Sequence, residues 1–216
     1  MVWSVFCIPL RMKYVCLLLF ACISSAGFAQ KETTSIIDAE GINTIIISSD
    51  EVFRLNITAA PVDKITIKTK ADGEYFNNIS LDTEVQGNTL FLTSRYREIL
   101  QSGFDKLSAH KVFAMEVFLQ IPEDLNVEIT SNLAAVFGKG DFKSLFVQLK
   151  SGFCTLEDFT GNAVINTYDG NVDVETEDAA IEANSRHGRI NVPVNSFGTH
   201  SIQITTINGD IRVKEN

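Results

Sequence analysis

Between Leu125 and Val213, apolar residues recur at alternate positions on both sides of a turn residue, and the arrangement repeats five times. With Asn132, Gly152, Gly170, Gly188 and Gly209 as anchors, the positions seven, five and three residues upstream form columns. They read Leu125/Val127/Ile129, Leu145/Val147/Leu149, Ala163/Ile165/Thr167, Ile181/Ala183/Ser185 and Ile202/Ile204/Thr206. Two and four residues downstream stand Ala134/Val136, Cys154/Leu156, Val172/Val174, Ile190/Val192 and Ile211/Val213. Successive side chains of an extended strand point to opposite faces, so each repeat predicts two short strands with one buried face each. Anchor spacings of 20, 18, 18 and 21 residues are too short for a helix pair or a propeller blade. The expected unit is therefore one coil of a β-solenoid. The position four before each anchor, Glu128, Gln148, Asn166, Asn184 and Thr205, is polar throughout and marks the solvated face.

From Ile36 to Pro122 the alternation continues without the same columns. Strands are expected at Thr44–Ser48, Val52–Thr58, Lys64–Thr69, Ile79–Val85, Thr89–Thr93 and Val112–Ile121. Gly41, Pro61-Val62-Asp63, Ala71-Asp72-Gly73 and Gln86-Gly87-Asn88 separate them and carry turn chemistry. These strands predict an irregular, β-rich N-terminal cap, built of early coils or a small sandwich, because an uncovered coil would leave backbone groups and apolar side chains unpaired. Between residues 94 and 111 the pattern breaks. Tyr96, Ile99, Leu100, Phe104 and Leu107 fall near helical spacing among basic residues, which predicts a helical insertion against the side of the coils.

The first 29 residues change the picture of address. Arg11 and Lys13 precede an apolar run from Tyr14 to Ile23, and Gly27-Phe28-Ala29 has the small-x-small form of a cleavage site. That layout predicts a signal peptide over 1–29, a cap with early coils over 30–122 and regular coils over 123–216. Leu19-Phe20-Ala21-Cys22 also resembles a lipobox, in which Cys22 would carry a lipid anchor. Either route leads to export, to the periplasm, outer membrane or cell surface. Without residues 1–29 the chain holds 16 Lys+Arg against 27 Asp+Glu, a net charge of −11. That balance argues against nucleic acid as a partner. Cys7, Cys16 and Cys22 lie in the leader region, leaving Cys154 as a lone inward thiol with no intramolecular disulfide partner.

Val117-Phe118-Leu119-Gln120-Ile121-Pro122, then Leu125-Asn126-Val127 and the repeated turns ending in Ile207-Asn208-Gly209-Asp210-Ile211-Arg212-Val213, carry a family resemblance. Residues 36 to 216 resemble the bacterial putative-adhesin β-solenoids, related to the auto-transporter adhesin head GIN domain. The resemblance implies an all-β, single-stranded, right-handed parallel β-helix in the cell envelope. It brings no catalytic residues.

Candidate chemistry is sparse. A carbohydrate-active β-helix enzyme needs carboxylates converging on one outward face. The best local set is Asp169, Asp173 and Glu175, with Arg186, His187 and Arg189 on the next repeat. The alignment places Asp173 near Asn191 and Arg212, and Asp169 near His187. Solvated charges account for the same residues. His110, His187 and His200 lack ligand spacing, so no metal or cofactor is expected. Phe146, Phe153 and Tyr168 project outward in the alignment and suit a cell-surface glycan or protein ligand, unless N-terminal elements or the 94–111 insertion cover them. After the last repeat, Lys214-Glu215-Asn216 leaves an end that Arg212 and Lys214 could blunt or a second copy could pair with. The expectation is a non-catalytic envelope protein for adhesion or assembly, with a β-helix lyase or hydrolase, or an envelope-signalling accessory, as alternatives.

Overall fold

The computed structural model describes residues 31–72, 79–96, 114–193 and 197–215. The leader reading, Cys22 and residues 97–111 of the insertion lie outside them. The described residues form fifteen β-strands and no helix, so none is long and apolar enough to cross a membrane. The first seven strands are β1 (Lys31–Asp38), β2 (Thr44–Ser48), β3 (Val52–Ala60), β4 (Lys64–Asp72), β5 (Ile79–Gln86), β6 (Thr89–Tyr96) and β7 (Ala114–Pro122). Then come β8 (Asn126–Ser131), β9 (Ala135–Ser151), β10 (Cys154–Asp169), β11 (Val172–Thr176) and β12 (Ala179–Ser185). The last are β13 (Ile190–Asn191), β14 (His200–Thr206) and β15 (Ile211–Glu215). Strands β2 to β7 fall where the N-terminal alternation places them. Ser94 to Tyr96, expected in the insertion, instead extend β6.

All fifteen belong to one mixed sheet with two ladders. The first runs β1-β4-β7-β3-β9-β10-β11-β15-β13 and the second β5-β6-β2-β8-β9-β10-β14-β12. The long strands β9 and β10 serve both, pairing through their first halves in one ladder and their second halves in the other. Between the halves, Gly140 and Gly161 adopt φ of 100° and 130°. A Cβ on either would collide with the carbonyl of Ala59 or Phe142, so the corner requires glycine twice over. Phe142 and Phe159 fill the corner from inside, stacked with centroids 5.5 Å apart. The inward side chains of both ladders share one core. Ile45, Leu90, Val147, Ile165 and Ile202 from the second ladder, and Leu55, Val136, Leu156 and Val172 from the first, are at most 1% exposed. Each contributes roughly 1.5–3 kcal/mol relative to an exposed position.

Three features depart from the expected sequential parallel stack. First, the Asn132 anchor is displaced by two residues. Val127 pairs with Leu145 and Val136 with Cys154, which sets Ala134 beside Gly152 and makes the first spacing 18 residues. A two-residue slip returns every side chain to its own face, so the alternation alone cannot detect it. Second, β1 and β5 at the N-terminal end are antiparallel to β4 and β6, and β4 is antiparallel to β7. Inside them, β2 and β3 pair in parallel with β8 and β9, so hydrogen bonding continues across the expected boundary at 122/123.

Third, the last two repeats exchange places. β14 lies between β10 and β12, and β15 between β11 and β13. The turn glycines follow the same order. A Cβ on Gly170 would sit on the Gly152 carbonyl, one on Gly209 on that of Gly170, and one on Gly188 on that of Gly209. These glycines are required by the close approach of turn on turn. The C-terminal repeat is therefore interior, and the outermost repeat is β12–β13.

Candidate functional site

With the core shared between ladders, ligand chemistry belongs to the outward faces. On the first ladder, register places Thr34, Lys68, Phe118, Asn56, Phe137, Thr155, Asp173, Arg212 and Asn191 in one line across nine strands. Phe118 and Phe137 stand outward because Val117, Leu119 and Val136 occupy the buried positions beside them. Both rings are half-buried and engaged by cations. The Lys70 ammonium lies 5.6 Å from the Phe118 centroid, and the Arg54 guanidinium 5.1 Å from that of Phe137. Phe153, 40% exposed, meets Phe137 edge-on with centroids 5.4 Å apart.

Around Phe118 is an open concavity of about 470 Å³ lined by Glu32, Asn56, Thr58, Thr66, Lys68, Lys70, Leu119 and Gln120. Lys70 pairs with Glu32 at 3.2 Å and Arg54 with Glu116 at 3.6 Å. Lys68 is exposed and has no ion pair among the described residues. At the corner, Lys139 bonds Asp158 at 2.7 Å, and that hydrogen bond and charge hold its pKa above the ordinary lysine value.

The three expected aromatics do not form a single row. Phe153 joins Phe137 on the first ladder. Phe146 is half-buried on the second, between Glu128 and Val164, and Tyr168, 52% exposed, lies near the turn into Gly170. Lys68, Lys70, Arg54, Phe118 and Phe137 escaped the sequence reading. Their outward parity was visible, but their convergence depends on the register of distant segments.

The candidate carboxylates are also dispersed. Asp173 pairs with Arg212 at 3.3 Å, both about half exposed, and Asn191 lies opposite Arg212, two strands from Asp173. Asp169 accepts a hydrogen bond from Asn208 Nδ2 at 2.6 Å, because the inserted repeat occupies the place expected for His187. The Arg189 backbone N–H donates to Asp210 at 2.8 Å. Among the described residues no group of three or more His, Cys, Asp or Glu is placed to hold a metal ion. Cys154 is fully buried between Val136 and Val172, and desolvation pushes its thiol up to about 12, so it stays protonated and unreactive.

The chain matches no family model and no curated protein. Its backbone is similar to that of a "putative cell adhesion protein" from Clostridium sporogenes ATCC 15579. The two are 18% identical, the match covers 87% of this chain and 100% of that one, and the TM-score is 0.60. The likeness is one of fold. Two structures named "putative adhesin", from Bacteroides fragilis NCTC 9343 and Parabacteroides distasonis ATCC 8503, are each 14% identical and cover 85% of this chain and 97% of theirs. Their TM-scores are 0.36 and 0.26.

Proposed function

We propose that this protein is an exported, non-catalytic component of the bacterial cell envelope, and that its wrapped sheet is a short β-solenoid presenting its outer surface for adhesion or envelope assembly. The observation that carries this reading is the composition of the first ladder's outward face. Rings and cations are held in register on a rigid core, over an open concavity rather than an enclosed chamber. Such a face suits a partner laid along it. The likeness in fold to the Clostridium sporogenes "putative cell adhesion protein" over the full length of that chain supports the same reading. The family reading, with its relation to the GIN domain, belongs to this proposal, as does attachment through Cys22 or release after Ala29.

Protease shaving of intact cells, with a periplasmic protein as leakage control, tests the address. Loss of the protein from intact cells supports adhesion. Protection until the outer membrane is opened contradicts surface adhesion and leaves assembly within the envelope. Sugar cleavage by the purified protein that disappears in Asp173→Asn would overturn the non-catalytic part and favour a β-helix lyase or hydrolase.

A further inference from the structure

The full chain carries a net charge of −9, yet the outward positions of β4 read Lys64, Thr66, Lys68 and Lys70. Lys64 stands opposite Asp38, and Lys70 is paired with Glu32. Lys68 stands between Thr34 and Phe118, and the first carboxylate along its row is Asp173, five strands away. Among the described residues, Lys68 thus lies beside a ring in the concavity around Phe118 with no ion pair of its own.

We propose that the line Lys68, Phe118, Asn56 and Phe137 binds a segment of acidic polysaccharide, a chain of carboxylate-bearing sugars lying across the strands. The proposal rests on the adhesion reading and names its ligand class. Neighbouring strands are about 4.8 Å apart, so the two rings, two strands apart, recur at about 9.6 Å. A spacing of that order presents one ring to every second sugar of an extended chain. The apolar faces of the sugars stack on Phe118 and Phe137. Asn56, Thr58, Thr66 and Gln120 offer amides and hydroxyls to the sugar hydroxyls from the same concavity. Lys68 supplies the charge for a carboxylate, while Lys70 and Arg54, already paired with Glu32 and Glu116, lie over the two rings. The chain's net charge of −9 disfavours the approach of polyanions to the surface at large.

The test is calorimetric titration of the full exported protein with polygalacturonate oligomers, with their fully methyl-esterified counterparts and with polyglutamate. The inference expects binding of polygalacturonate that weakens as salt rises, with little binding of either control. Lys68→Glu, an exposed substitution that should leave thermal unfolding unchanged, is expected to weaken binding about tenfold, as is Phe118→Ala. Equal affinity for the esterified oligomer, undiminished binding by a folded Lys68→Glu variant, or no binding of polygalacturonate would each overturn it. Polyglutamate binding as tight as polygalacturonate would overturn it in favour of an acidic protein partner. Cell attachment separates the two readings. If deleting the protein abolishes attachment while polygalacturonate does not bind, this inference fails and the adhesion reading survives.

Discussion

The two ends of the stacked sheet are built on different principles. At the N-terminal end, β4 and β5 run against the other strands, β1 turns back again along β4, and Ile65, Ile67 and Ile79 are buried to 3% exposure or less. At the other end, β12 and β13 keep the parallel direction and nothing in the described residues covers them. Ile181 and Ala183 are only half-buried and Ile190 is 47% exposed. A free edge invites pairing with another chain, and here it is blunted by other means. β13 is two residues long, Pro193 follows it without a backbone donor, and β12 turns Glu182 and Asn184 outward. The comparison teaches that a repeat stack can be finished by reversing strands or by placing its weakest repeat outermost. The second solution explains the exchange of the last two repeats, since Ile202/Ile204 fill the interior better than Ile181/Ala183.

The largest expected effect comes from the turn glycines. Gly170→Val forces a side chain into the carbonyl of the neighbouring turn inside the stack, and should cost about 3 kcal/mol or more. Gly188→Val meets the same obstruction, but its repeat is free to move outward, so its cost should be clearly smaller. Chemical denaturation of the two variants measures the difference, and equal costs would contradict the assignment of β12–β13 to the edge.

Core truncation sharpens the contrast next. Ile65→Ala under the N-terminal cap and Ile165→Ala in the middle should each lose about 2–5 kcal/mol. Ile190→Ala at the open end should lose less than about 1 kcal/mol. A large loss at Ile190 would mean that this edge is covered.

The smallest effect is electrostatic and belongs to the open end. The hydroxyl of Thr199 donates to Asp178 at 2.7 Å and its backbone N–H at 3.3 Å, and these bonds hold the Asp178 carboxyl below its ordinary pKa. A depressed folded-state pKa stabilises above the unfolded value, and that contribution is lost as pH falls through the folded one. Asp178→Asn should therefore lower Tm slightly at neutral pH and flatten its decline on acidification, as thermal unfolding across that range would show.

Much of this architecture was legible in the sequence because burial follows a period of two. Strands β2 to β7 and the inward columns of the later repeats were visible for that reason. β1 was not, since among its inward residues Thr33, Ser35 and Ile37 only Ile37 is apolar, too little to show alternation. The stacking order was hidden because Ile181/Ala183 and Ile202/Ile204 occupy equivalent columns, and only their relative bulk separates them. The positions three residues before the turns also conceal a role. Thr167, Thr206 and Ser185 donate their hydroxyls to glycine carbonyls of the turns, satisfying backbone groups where an apolar column was expected. The proposed binding strip was half visible. The outward parity of Phe118 and Phe137 follows from alternation, but their alignment with Lys68 required the pairing of β4, β7, β3 and β9.

The stacking order itself admits a direct measurement. Asn166, Thr205 and Asn184 point outward in register on β10, β14 and β12. Adjacent strands are about 4.8 Å apart, within disulfide range, whereas alternate strands at about 9.6 Å are beyond it. Buried Cys154 will not compete. Mild oxidation should close a disulfide in the Asn166→Cys/Thr205→Cys and Thr205→Cys/Asn184→Cys variants and leave Asn166→Cys/Asn184→Cys open. A disulfide in that third variant, with none in the first, would show that the repeats stack in chain order and contradict this account.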